Sequence, residues 1–233
     1  MQVLDVPAKQ GGTWIKDAFA LFRAQPMAWI ALSAAWVVLL FGSLFLPVVG
    51  GVIAILQPAF FAGFALACHD QQSGGRVTVS HLFVALRVNP RPLVMIGAVT
   101  SIAYLLLFAL VYQLGAPWPA LPAPGTGSEL ETLQTLLGGR EWLLVLYFVV
   151  DSLLRALLWF VAPLLAFNKM SAWHAVRWSV YASLSNLAPL TVFGLLMMLL
   201  FLAALLTGGL GLVIALPLLA IANYTSYRRV FTD

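Results

Sequence analysis

The sequence predicts an all-α membrane bundle of six transmembrane helices. Three observations carry that expectation: too little charge for a soluble surface, six long apolar runs, and basic residues sorted to one side of those runs. The chain has 233 residues, 62% apolar and 9% charged, whereas soluble domains run near ~25% charged. Its mean hydropathy is +0.98. Ten of the twelve basic residues fall in four segments that share one side: Lys9, Lys16 and Arg23; Arg76, Arg87 and Arg91; Lys169 and Arg177; Arg228 and Arg229. Arg140 falls on the other side, and Arg155 lies inside an apolar run. Loops rich in Lys and Arg stay cytoplasmic, so both termini are expected in the cytoplasm. The excess of positive charge is then matched to anionic lipid headgroups. No basic domain stands outside the runs, and nucleic acid is not an expected partner.

Taken in order, the runs are Met27 to Leu46, Val48 to Ala67, Leu93 to Leu114, Trp142 to Phe167, Leu187 to Leu206 and Leu210 to Tyr227. Each is long enough to cross roughly 30 Å of hydrocarbon. Very short connections around Pro47 to Gly51 and Thr207 to Gly209 make their flanking helices antiparallel neighbours. Between the third and fourth runs lies a longer periplasmic connection, 115–141. Its first part is rich in Pro and Gly, which blocks regular structure. Ser128 and Glu131 then match a capping box for a short helix, striped by Leu130, Leu133, Leu136 and Leu137. Trp118 and Trp142 would anchor that helix on the outer surface; the alternative is a lid over a pocket. Before the first run, residues 1–12 contain no apolar stretch of the kind a secretory leader needs.

An internal repeat organises these runs. WIKDAFALFRAQP at 14–26 aligns with TVSHLFVALRVNP at 78–90, matching Phe19 with Phe83, Arg23 with Arg87 and Pro26 with Pro90. Gln25 and Asn89 are the amides before each proline, and a weaker copy at 173–189 keeps Asn186. Each copy precedes a pair of runs whose later member carries a proline, at Pro58, Pro163 or Pro217. The single domain thus reads as three pseudo-repeats, about 12–70, 78–168 and 172–228, each an amphipathic interfacial helix followed by a helical hairpin. In the first copy Trp14, Ala18, Leu21, Phe22 and Gln25 share a face; in the third, Val176, Val180, Leu184 and Leu187 are expected to do the same. Such a helix lies in the interface with its apolar side buried or docks onto the ends of the bundle. A residue before proline avoids the α region, so Gln25 and Asn89 mark where surface helix gives way to span.

The segments ALFRAQPMAWI at 20–30, QPAFFAGFALACHDQQSGG at 57–75 and HLFVALRVNP at 81–90 resemble an uncharacterised family of proteobacterial six-helix inner-membrane proteins. The resemblance covers most of the chain and is weakest at 115–141. More distantly, the repeated plan resembles the membrane domain attached to some glycerophosphodiester phosphodiesterases, without room here for their catalytic domain. The resemblance implies a fold and a location but no catalytic residues.

Asp151 and Arg155 are the leading candidates for a ligand site. They lie four apart on one helix face, well inside the fourth run, where each charge costs about 2.5–3.5 kcal/mol on insertion scales. They either form an ion pair that locks packing or line a polar site for an anionic headgroup, a small solute or a proton. Gln57, beside the helix-kinking Pro58, and Tyr104 are the other candidate ligand-binding residues. Ala59, Gly63 and Ala67, and again Thr207, Gly211 and Ala215, follow a spacing that lets helices approach closely. Cys68, His69 and Asp70 are metal-capable, but consecutive helical residues diverge; His81 and His174 lie on other segments, and neither a metal nor a cofactor is expected. Asn168, Asn186 and Asn223 read as helix-terminal hydrogen-bonding residues. HExxH, P-loop and GxSxG signatures are missing. The expected function is non-enzymatic handling or sensing of a small or lipidic ligand, with membrane lipids as partners. The alternative is a scaffold or assembly factor with no ligand pathway.

Overall fold

The computed structural model describes residues 2–116 and 138–232, so the expected short helix at 128–137 and Trp118 lie outside the described residues. The elements follow as β1 (Gln2–Val3), α1 (Gln10–Ala24), α2 (Pro26–Leu44), α3 (Pro47–Gln72), α4 (His81–Val88), α5 (Pro90–Gly115), α6 (Glu141–Leu157), α7 (Val161–Phe167), α8 (Ala172–Ser185), α9 (Leu187–Leu206), α10 (Leu212–Val230) and β2 (Phe231–Thr232). The chain forms two compact bodies, one of Met1–Val99 with Ala156–Asp233, the other of Thr100–Arg155.

Five stretches among the described residues are helical, long and apolar enough to cross a membrane: Pro26–Ser43, Val48–Gln72, Pro90–Gly115, Glu141–Phe167 and Leu187–Leu206. Half of the α3 window is buried, against 11–28% for the other four. Exposed side chains along these five stretches include Phe41, Val52, Leu105, Phe148, Leu199 and many similar ones, apolar surface suited to lipid. The sixth expected span, Leu210 to Tyr227, coincides with α10 but does not join the five. Its second half runs through Asn223, Thr225, Ser226, Arg228 and Arg229, which lowers its hydropathy. Those polar side chains up to Ser226 are buried in protein, because α10 packs against α1, α2, α3, α7 and α9.

The three proline-bearing helices α3, α7 and α10 pack on one another at the centre of the larger body. Each short helix lies against one of them: α1 on α10, α4 on α3 and α8 on α7. Close approach is built in at glycine. A Cβ at Gly63 would collide with the His81 carbonyl where α4 meets α3, and one at Gly97 would collide with the Ile55 carbonyl. Along α1, Trp14, Ala18 and Phe22 are buried and Leu21 and Gln25 half-buried, the stripe the spacing predicts.

The amides before the long helices hold more than the break itself. Gln25 (φ −142°, ψ 60°) and Asn89 (φ −149°, ψ 63°) adopt nearly the same conformation, and Asn186 (φ −121°, ψ 36°) is close to it. Gln25 donates to the Gly75 carbonyl at 2.9 Å and accepts from the Val77 N–H at 3.0 Å, on the segment leading into α4. Asn89 donates to the Leu165 carbonyl at 3.3 Å, ahead of α8. Asn186 accepts from the Val6 N–H and donates to the Leu4 carbonyl, both at 3.0 Å, ahead of α1. Gln25 and Asn186 therefore tie down the approaches to α4 and α1, while Asn89 holds α7, the helix ahead of α8. Beside that closure, Gln2 and Val3 pair antiparallel with Thr232 and Phe231, which brings the two ends of the described chain together.

Two expectations are corrected. The fourth run is not one continuous helix: it breaks at Leu158–Phe160, between α6 and α7. Pro163 lacks an N–H and leaves the Trp159 carbonyl without its usual partner; Asn223 on α10 supplies one, its side-chain nitrogen 2.6 Å away. Asn223 is thus a buried mid-helix clamp rather than a terminal cap. Ser183 donates to the Ala156 carbonyl at 2.7 Å, while Ser179 donates to the Leu157 carbonyl at 2.7 Å and accepts from the Phe160 N–H at 3.1 Å. These bonds account for backbone groups that hydrocarbon could not satisfy. The packing of α8 follows from the same bonds. The buried face of α8 is Ala172, Ala175, Ser179, Ala182 and Ser183, and Leu184 and Leu187 point outward. Small residues win that face because α8 must approach the broken helix closely enough for its hydroxyls to reach the backbone.

Candidate functional site

Three of the four predicted ligand-binding residues meet in the smaller body. Asp151 and Arg155 are one turn apart on α6, and Arg155 Nε donates to both carboxylate oxygens, at 2.9 and 2.8 Å. The guanidinium carbon also lies 5.7 Å from the centroid of the Tyr104 ring on α5, within cation–π range. Asp151 is mostly covered at 14% side-chain exposure, and Arg155 stands out at 67%. This cluster satisfies itself: acid and base neutralise each other on one helix, and the aromatic ring faces the cation. Gln57 belongs to the larger body, where its side-chain oxygen accepts from Trp36 Nε1 at 3.3 Å. Aromatic rings of Phe61 and Phe64 pack edge-on against Trp36, so Gln57 serves an aromatic cluster between α2 and α3.

The metal-capable residues also find structural partners. Cys68 is buried, and the His69 ring packs against Phe167. His81 Nε2 lies 3.2 Å from Asp70 Oδ2, and its Nδ1 lies 2.9 Å from the Thr78 hydroxyl, fastening the start of α4 to the end of α3. Among the described residues no three His, Cys, Asp or Glu side chains converge.

A concave feature lies elsewhere in the larger body. A cleft of about 520 Å³ opens between α1 and α10, lined by Asp17, Ala20, Leu21, Gln72, Tyr224, Thr225, Arg228 and Arg229, within the ~300–1,000 Å³ typical of small-molecule sites. Its geometry follows from two helical faces. Asp17, Ala20 and Leu21 project from one side of α1; Tyr224, Thr225, Arg228 and Arg229 recur at three- and four-residue steps along α10. Thr225 locks the helices together by donating its hydroxyl to the Trp14 carbonyl at 2.9 Å. Arg229 reaches across to Asp17 with Nε at 3.1 Å and Nη2 at 2.9 Å from the same oxygen. At the back, the Tyr224 hydroxyl donates to Gln72 Oε1 at 2.7 Å. Arg228 is exposed and makes no ion pair among the described residues. One carboxylate thus faces two guanidinium groups, leaving a net positive charge beside an apolar wall.

None of these lining residues was a sequence candidate. Arg228 and Arg229 stood out only as markers of sidedness, and Asp17 lies 212 positions from its partner. The available signal was the crowding of Tyr224, Thr225, Arg228 and Arg229 onto one face of the last helix, beside a helix carrying an acid.

Comparison with other proteins places the chain beside a probable inner membrane protein of Burkholderia thailandensis, 27% identical over 213 residues, which span 84% of this chain and 75% of that protein. No protein family matches the chain, and no solved structure matches it.

Proposed function

We propose that this is a six-span inner-membrane protein that handles or senses a small or lipidic ligand without catalysing a reaction, and that the ligand occupies the cleft between α1 and α10. The cleft is the observation that carries the reading: it is concave, partly apolar and unevenly charged, whereas Asp151 and Arg155 cancel each other. The likeness to a probable inner membrane protein of Burkholderia thailandensis and the five span-length apolar helices support the location.

The six-span count draws support from the paired chain ends. Residues 2–3 and 231–232 form one small sheet, so they lie on one side of a membrane, and an odd number of crossings would separate them. With five spans given by apolar length, α10 is the further crossing; its polar half can be tolerated because it faces protein. The cyclic pattern of Gln25, Asn89 and Asn186 supports three equivalent units. The basic residues support cytoplasmic termini by the positive-inside rule. In a Cys68→Ser background, Lys9→Cys should resist an impermeant maleimide in intact spheroplasts, and Arg140→Cys should react. The reverse labelling pattern contradicts the orientation.

Ligand handling is tested by native mass spectrometry of the protein extracted gently from membranes. A retained species should be present in wild type and lost from Ala20→Trp, which fills the cleft from an exposed helix position. A scaffold without a ligand pathway would carry no such species, or would keep it in the filled variant.

A further inference from the structure

We propose that the cleft between α1 and α10 binds a phosphodiester of net charge −1, with no cation on its ester arms, gripped by Arg228 and by the Arg229 donors that Asp17 leaves free. This rests on the ligand-handling reading and gives it a chemical class. The charges of the lining are Asp17, Arg228 and Arg229, which leave one positive charge to be matched. A phosphodiester carries one negative charge at neutral pH, whereas a phosphate monoester carries about −1.5 to −2. Geometry points the same way. A guanidinium presents five N–H donors in a planar fork that fits two phosphate oxygens. Asp17 takes the Nε and one Nη2 hydrogen of Arg229, which fixes that fork between two helices while Nη1 remains for a ligand. Arg228, one residue earlier, has no ion-pair partner among the described residues.

The rest of the cleft suits the two ester arms of such a group. Tyr224 donates to Gln72 Oε1, and that bond orients the Gln72 amide so that its N–H donors are free for a polar arm. Ala20 and Leu21 form the apolar wall on α1. The volume of about 520 Å³ exceeds what a bare anion requires and leaves room for substituents on both sides. A phospholipid headgroup and a water-soluble phosphodiester share this chemistry.

The test uses the full chain in neutral detergent and native mass spectrometry with three probes: dioleoylphosphatidylglycerol, dioleoylphosphatidylcholine and glycerophosphoglycerol. The expected result is one saturable phosphatidylglycerol adduct, weakened about tenfold or more by Arg228→Ala, since charge-assisted hydrogen bonds are the strong ones. Arg228→Lys should fall between, because it keeps the charge and loses the fork. Arg76→Ala removes an equal charge from an exposed loop and should leave binding unchanged. Competition by glycerophosphoglycerol supports a site for anionic phosphodiesters whether soluble or lipid-borne; adduct formation without such competition supports an anionic lipid headgroup site. The proposal is overturned if no saturable adduct forms, if phosphatidylcholine binds equally well, or if Arg76→Ala weakens binding as much as Arg228→Ala. Should it fall while a different species is retained in wild type and lost in Ala20→Trp, ligand handling stands and only the phosphodiester is lost.

Discussion

Two Asp–Arg pairs in this protein do opposite things with the same chemistry. Asp151 and Arg155 sit one turn apart on α6, doubly hydrogen-bonded and capped by an aromatic ring. Asp17 and Arg229 come from opposite ends of the chain and join two helices across a cleft. The first pair closes on itself, so its charge is spent within one helix face. In the second, the adjacent Arg228 adds a cation that no acid offsets, and the surplus faces a cavity. A charged pair inside an apolar run therefore signals the cost of placing charge in lipid, while an unbalanced cluster at a helix junction signals capacity to bind. What separates the two is whether neutralisation is complete, not depth.

That contrast can be broken by mutation. The largest stability effect is expected at α6: Asp151→Leu strands Arg155 within a span, at about 2.5–3.5 kcal/mol on insertion scales. Replacing both members by leucine should restore folding, since well-packed apolar substitutes for a paired charge are often neutral or stabilising. Denaturation of the detergent-solubilised protein reads both variants; a double variant as unstable as the single one would argue for a ligand or partner at that pair. A smaller loss, about 1–3 kcal/mol, is expected from Asn223→Ala, which leaves the buried Trp159 carbonyl without its donor. Limited proteolysis near Leu158–Phe160 would report the loosened break. The smallest change is expected from Asp17→Asn. An exposed pair of this kind contributes about 0–1 kcal/mol, so thermal stability should barely move. A collapse of the fold in Asp17→Asn would reassign the cleft pair to structure.

The contrast also explains which features the sequence displays. Trp14, Ala18 and Phe22 announce the buried face of α1 because large apolar groups recur at helical spacing. The face of α8 stays hidden, since Ala and Ser at 172, 175, 179, 182 and 183 carry no hydrophobic signal; they bury by closeness. Gln25, Asn89 and Asn186 were legible as break points, but their partners lie about 50–180 residues away and no local pattern names them. The break at Leu158–Phe160 is apolar on both sides, and Pro163 was its available marker. Asp151 and Arg155 were conspicuous because charge is rare in an apolar run. The exposure of Arg155, and the bond from Trp36 to Gln57, came only with the fold. The cleft was illegible for the opposite reason: Arg228 and Arg229 sit among ordinary cytoplasm-facing charges, and Asp17 becomes relevant only once α1 lies on α10.

The most direct test of the account sets the two pairs against each other in one experiment. Native mass spectra of Arg228→Ala and of the Asp151→Leu, Arg155→Leu double variant would be compared at a fixed concentration of phosphatidylglycerol. The account predicts that the adduct is lost from the first protein and kept by the second. An adduct kept by Arg228→Ala and lost from the double variant would contradict it, and would return the ligand to the middle of α6.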